Sequence, residues 1–84
     1  MRNETEARKL ADKAIKKIDR LEDGESIEIF DKDMSRKLRV TIELHYIYSE
    51  NIWIATYETE LNGKKEIIHD EEMYGFLVDF FKGE

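Results

Sequence analysis

A single α+β domain with the order α-β-β-β-β-α is the fold this sequence predicts, and three observations predict it. Apolar residues recur every three to four positions through the first quarter of the chain. A period of two takes over after Gly24, and a helical period returns in an aromatic-rich tail that opens on carboxylates. The 84 residues fill one domain, residues 1–84, since domains commonly run to about 100–200 residues. The expected architecture is a four-stranded antiparallel meander covered on one face by two helices.

The first helix is expected over residues 4–22. Ala7, Leu10, Ala11, Ala14, Ile15, Ile18 and Leu21 share one face, Asn3 or Thr5 supplies the cap, and Asp23-Gly24 the stop. Lys9, Lys13, Lys16 and Arg20 lie opposite that stripe and read as a solvated ridge. Next come Ile27 and Ile29 alternating with Ser26 and Glu28, then Leu38, Val40, Ile42, Leu44, Tyr46 and Tyr48 at every second position. A third run holds Trp53, Ala55, Tyr57 and Leu61 on one parity. Asn62-Gly63 follows, a two-residue turn signal because both positions must take positive φ. Lys64–His69 completes the meander. The second helix is expected over Asp70–Lys82, with Asp70 as N-cap, Glu71 and Glu72 in the first turn where the helix dipole favours anions, and Gly83 as the stop. Met73, Phe76, Leu77 and Phe80 form its buried stripe, and Gly75 costs it about 1 kcal/mol relative to alanine.

Parity tests the strand register, because a one-residue slip turns every side chain over. A loop over Lys32–Ser35 pairs Ile29 with Leu38 and Ile27 with Val40. A loop around Glu50-Asn51 pairs Tyr48 with Trp53, Tyr46 with Ala55 and Leu44 with Tyr57. The Asn62-Gly63 turn pairs Tyr57 with Ile68 and Thr59 with Glu66. All three put the large apolar residues on one face, so Tyr46, Tyr48, Trp53 and Tyr57 read as core. The opposite face receives the ion pairs Glu28–Arg39 and Glu60–Lys65. It also receives Phe30, Ile47, Ile52, Ile54 and Ile67, with Ile47 opposite Ile54 and with His45, Thr56 and His69 in a row across three strands. Two readings of this face stand: an apolar interaction surface, or a second small core beneath the first helix.

Composition excludes several chemistries. Without cysteine there are no disulfides, thiolate metal sites or cysteine nucleophiles. Ser26, Ser35 and Ser49 lack a glycine elbow, and Gly24, Gly63, Gly75 and Gly83 are isolated, so neither a serine nucleophile nor a phosphate loop is present. His45 and His69 are expected two strands apart, about 10 Å at about 4.8 Å per strand, which is wide for shared ligation. No metal, cofactor or catalytic activity is expected. The net charge of −6 is concentrated in residues 49–84, which hold three basic and nine acidic side chains. That balance argues against direct nucleic-acid binding, which needs clustered cations. With no apolar run of membrane-spanning length and no basic-then-apolar leader, a soluble cytoplasmic protein is expected.

Three functions fit these features. One is a non-catalytic binding protein that presents Glu58, Glu60, Glu66, Asp70, Glu71 and Glu72, with the open sheet face, to a basic site on a protein partner. Another is a structural or homo-oligomeric module pairing Ile47, Ile52, Ile54 and Ile67 across a two-fold axis. The third is a small-ligand or ion sensor built on His45 and His69. The layout of a leading helix, a short meander, Asn62-Gly63-Lys64, Asp70-Glu71-Glu72 and the aromatic run from Phe76 to Phe81 resembles small anti-CRISPR proteins of bacteriophages. That resemblance implies an inhibitor acting in the host cytoplasm, seated in the DNA- or RNA-binding cleft of a defence nuclease. It assigns no individual residue.

Overall fold

The computed structural model describes residues 2–83 and runs α1 (Glu4–Ile18), β1 (Ser26–Asp31), β2 (Arg36–Ile47), β3 (Ile52–Leu61), β4 (Lys64–His69) and α2 (Asp70–Lys82). The strands form one antiparallel sheet in chain order. The expected α-β-β-β-β-α arrangement is therefore the observed one. Among the described residues no helix is long and apolar enough to cross a membrane.

Local chemistry sets the element ends. Asn3 Oδ1 accepts the Glu6 N–H at 2.9 Å and opens α1. The helix stops at Ile18, four residues before the expected end. Arg20 and Leu21 bond back to Lys17 and Ile18 in tighter three-residue steps, which unwinds the last turn before Asp23-Gly24 is reached. Gly24, at φ +84°, turns the chain into β1. At the other helix, His69 rather than Asp70 is the capping position, and Glu72 Oε1 accepts the His69 N–H at 3.2 Å. The Asp70 carboxylate is taken by the Tyr57 hydroxyl at 3.0 Å.

Two hairpin registers agree with expectation and one does not. Ile29 faces Leu38 and Tyr57 faces Ile68, but Tyr46 faces Trp53, Leu44 faces Ala55 and Ile47 faces Ile52. The middle hairpin is two residues out of the expected register, so side-chain parity survives. A two-residue turn there would force positive φ on Glu50, a strained state for that side chain. The chain instead spends four residues, 48–51, and places only Asn51 at φ +56°. Asn51 and Glu50 donate their N–H groups to Ile47 O, and the Tyr46 hydroxyl donates to Asn51 Oδ1.

The core lies between one face of the sheet and both helices. Ala7, Ala11, Ala14 and Ile18 of α1 meet Ile29, Leu38, Val40, Ile42, Tyr57 and Ile68 of the sheet and Met73, Leu77, Val78, Phe80 and Phe81 of α2. Burying a leucine such as Leu38 or Leu77 contributes about 1.5–3 kcal/mol. Below this core sits a charge cluster formed by residues outside the expected docking set. The buried Asp31 receives Arg2 at 2.8 Å and has Arg36 at 3.9 Å. The same two guanidinium groups donate to the last carbonyls of α2, Arg2 to Phe81 O at 3.1 Å and Arg36 to Phe80 O at 2.5 Å. They also lie over the Phe81 and Phe80 rings. Burial pushes the Asp31 carboxyl up, but the Arg2 hydrogen bond and charge and the backbone N–H groups of Asp33 and Met34 outweigh it, so its pKa is net lowered. The cluster ties the N-terminus, the first hairpin and the end of α2 together.

Candidate protein-docking surface

The two central strands outrun everything around them. The last β1 pair is Ser26–Thr41 and the last β4 pair is Thr56–His69, so Glu43–Ile47 and Ile52–Ala55 continue as a two-stranded ribbon. From Glu43 to Ile47 the ribbon extends about 14 Å at about 3.4 Å per residue, in a molecule 44 Å in its longest dimension. Helix length explains why the ribbon is bare. The 15 residues of α1 span about 22 Å at about 1.5 Å each. The 12 residues of β2 span about 40 Å. The shorter element cannot cover the longer one.

The uncovered inner face holds Leu44, Tyr46, Tyr48 and Trp53. Of the four aromatics that read as core, only Tyr57 is buried. Tyr48 is 87% and Trp53 66% exposed. The expectation fails because parity places these side chains on the helix side of the sheet, whereas burial also requires a helix to be there. The rings still order one another, with centroids 4.8 Å apart for Tyr46–Tyr48 and 5.1 Å for Tyr46–Trp53. Burial, then the Asp70 hydrogen bond, pushes the Tyr57 hydroxyl up to about 12. It therefore stays a neutral donor that anchors the start of α2 under the ribbon.

Among the described residues no helix covers the outer face, because both helices pack against the other one, so the second-core reading is set aside. The residues expected to share a patch there are divided. Ile47, Ile52 and Ile54 sit together at the tip, with Ile47 facing Ile52 and Ile54 facing His45 rather than Ile47. His45, Thr56 and His69 lie behind them. Thr56 faces Glu43 and His69, and His45 Nε2 reaches diagonally to Thr56 Oγ1 at 2.9 Å and to Glu43 at 3.7 Å. Ile67 is 71% exposed on β4 beside Glu58. Phe30 lies at the far end, opposite Lys37. Lys37 is eight residues along β2 from His45, about 26 Å at about 3.3 Å per residue. Among the described residues no group of three or more His, Asp or Glu is placed to hold a metal ion.

The carboxylates expected to act as one surface are also divided. Glu58 meets Lys65 at 3.8 Å on the outer face, and Glu60 faces Arg39 on one side and Lys65 on the other. Glu28 keeps its register with Arg39, yet its ion pair is the diagonal one to Lys37 at 3.6 Å. Glu66 points to the opposite face and meets Lys64 at 3.2 Å. Glu72 caps α2. Asp70 and Glu71 remain together beside the ribbon, where an open cleft of about 410 Å³ is lined by Leu44, Trp53, Ile54, Ala55, His69, Asp70 and Glu71.

A charge pattern around the ribbon does emerge, and it is legible in the sequence once the ribbon is known. Residues 40–63 contain Glu43, Glu50, Glu58 and Glu60 and neither lysine nor arginine. On the β2 side Asp23 approaches, its Oδ1 accepting the Leu44 N–H at 3.0 Å, and on the β3 side stand Asp70 and Glu71. No family model, curated protein or solved structure matches this chain.

Proposed function

We propose that this protein is a non-catalytic binding module that docks the tip of its β2–β3 ribbon onto a basic, partly apolar site of a protein partner, and so acts as a regulator or inhibitor. The single observation behind this reading is the Tyr46–Tyr48–Trp53 cluster, half-buried at Tyr46 and exposed at Tyr48 and Trp53, on a ribbon devoid of lysine and arginine. Tryptophan and tyrosine are the side chains that most often carry binding energy when a partner desolvates them. Surrounding carboxylates steer a positively charged partner and repel nucleic acid and anionic membrane. The same repulsion disfavours tip-to-tip pairing of two copies. A nucleic-acid-binding protein or nuclease is the partner class this charge fits, as in the phage inhibitors the layout resembles.

Affinity purification with the wild-type protein and with a Tyr46→Ala/Trp53→Ala variant tests the reading. The expected result is a basic protein retained by the wild type, lost with the variant, and released at about 0.5 M salt, where exposed charge contacts are screened. A partner held equally by both proteins, or cross-linked through α1 instead of the ribbon, overturns it.

A further inference from the structure

Beyond Thr56–His69, β4 turns away into α2, so among the described residues no strand lies beside β3 from Ile52 to Ala55. The β2 side of the ribbon is different. There Gly24 donates to Ile42 O, Ile42 donates to Glu25 O, and Leu44 donates to Asp23 Oδ1, so the 23–25 segment occupies that edge. These bonds also fix the alternation of the ladder. Ile42 directs its polar backbone groups away from β3, so Glu43, His45 and Ile47 direct theirs toward it, and their partners on β3 are the even-numbered residues. Trp53 and Ala55 therefore direct their N–H and C=O groups off the β3 edge, into the side that β4 has left.

We propose that the partner supplies an extended segment that adds to the sheet along Ile52–Ala55, in line with β4, and that this segment alternates cationic with β-branched side chains. The proposal rests on the docking role proposed above and gives it a geometry. The bare edge is four residues long, about 13 Å at about 3.3 Å per residue, and it borders the cleft beside α2. An added strand extends the existing ladder, and side-chain alternation then sets its specificity. Its inward side chains land on the exposed face of Trp53 and beside Asp70 and Glu71, a position for arginine or lysine. Its outward side chains flank Ile52 and Ile54, a position for valine, isoleucine or threonine. A second copy of the ribbon is the wrong occupant, because residues 40–63 bring only carboxylates to a site that already holds two.

Titration of isotope-labelled protein with short capped peptides, followed by amide resonances, tests this. A peptide alternating arginine with valine is expected to shift Trp53, Ala55, His69 and Glu71 and to slow solvent exchange of the Trp53 N–H. A glutamate–valine peptide is expected to leave them unmoved. N-methylation of alternate residues along the peptide edge that faces β3 should weaken binding about tenfold, the loss expected for one or two backbone hydrogen bonds. Methylation of the other set should leave it unchanged. Glu71→Lys, at an exposed position, should lower the affinity of the arginine peptide several-fold. Equal binding of both methylated forms at the ribbon overturns strand addition and leaves the docking role standing. Failure of the arginine peptide to move any ribbon amide overturns both.

Discussion

The β2–β3 ladder has two ends built on the same alternation and put to opposite uses. At its base Leu38, Val40, Ile42 and Tyr57 point to the helix side and are buried; at its tip Leu44, Tyr46, Tyr48 and Trp53 point to the same side and are mostly exposed. Alternation assigns a side chain to a face of a sheet, whereas burial depends on what lies over that face. The base is closed by α1, α2 and the Asp31 cluster. The tip reaches past all three. The base accordingly carries stability, and the tip is the part of the molecule free to meet another.

The largest expected effect lies at the base. Asp31→Ala leaves Arg2 and Arg36 facing each other without their shared anion, and urea unfolding should show a loss of about 3–5 kcal/mol. The same carboxyl gives a pH signature. Its folded pKa lies below the ordinary value near 3.9, so its contribution is complete above about pH 4 and is lost as pH falls through the folded value. The urea midpoint should fall on acidification below about pH 4, and the acid slope should be shallower in Asp31→Asn. Next in size is a direct contrast along the ladder. Leu38→Ala should cost about 2–5 kcal/mol, whereas Trp53→Ala, which removes a larger side chain, should stay within about 1 kcal/mol. Equal losses would mean that the tip is covered in solution and would end the comparison. The smallest effect is a gain. A Cβ at Gly75 meets nothing within 4 Å, so Gly75→Ala should stabilise the protein by about 1 kcal/mol in thermal unfolding without altering anything the ribbon binds.

How far each end was legible in the sequence follows from the same contrast. The first and third hairpins were readable to the residue, because Asn62-Gly63 marks a two-residue turn with both residues at positive φ and the four-residue loop over Lys32–Ser35 asks for positive φ only at Ser35. The middle hairpin was readable only to within two residues, because both registers keep every side chain on its face. The choice falls to the reluctance of Glu50 to adopt positive φ. The tip residues Ile47, Ile52 and Ile54 were recognisable as an outward apolar group, but Phe30 and Ile67 were not separable from them by parity, which carries no distance along the strand. The exposure of Trp53 and Tyr48 had a signal that parity conceals: a helix of 15 residues is shorter than a strand of 12, since a residue advances about 1.5 Å in one and about 3.3 Å in the other. Asp31 had half a signal: the first-hairpin register sets it opposite Arg36 on the core-facing parity, whereas Arg2 comes from the chain start, which no local pattern links to it.

The amino-acid order alone decided which segments coil, which extend, and which side of the sheet each side chain takes, because periods of 3.6 and 2 and the demand for positive φ at turns are local properties of the backbone. It also decided that residues 40–63 carry no cation. Tertiary packing decided how far the helices reach along the sheet, which carboxylates find a lysine, that Asp31 closes the base, and that β3 keeps an uncovered edge. Those outcomes depend on lengths and distances between elements far apart in the chain, which no window of neighbouring residues contains.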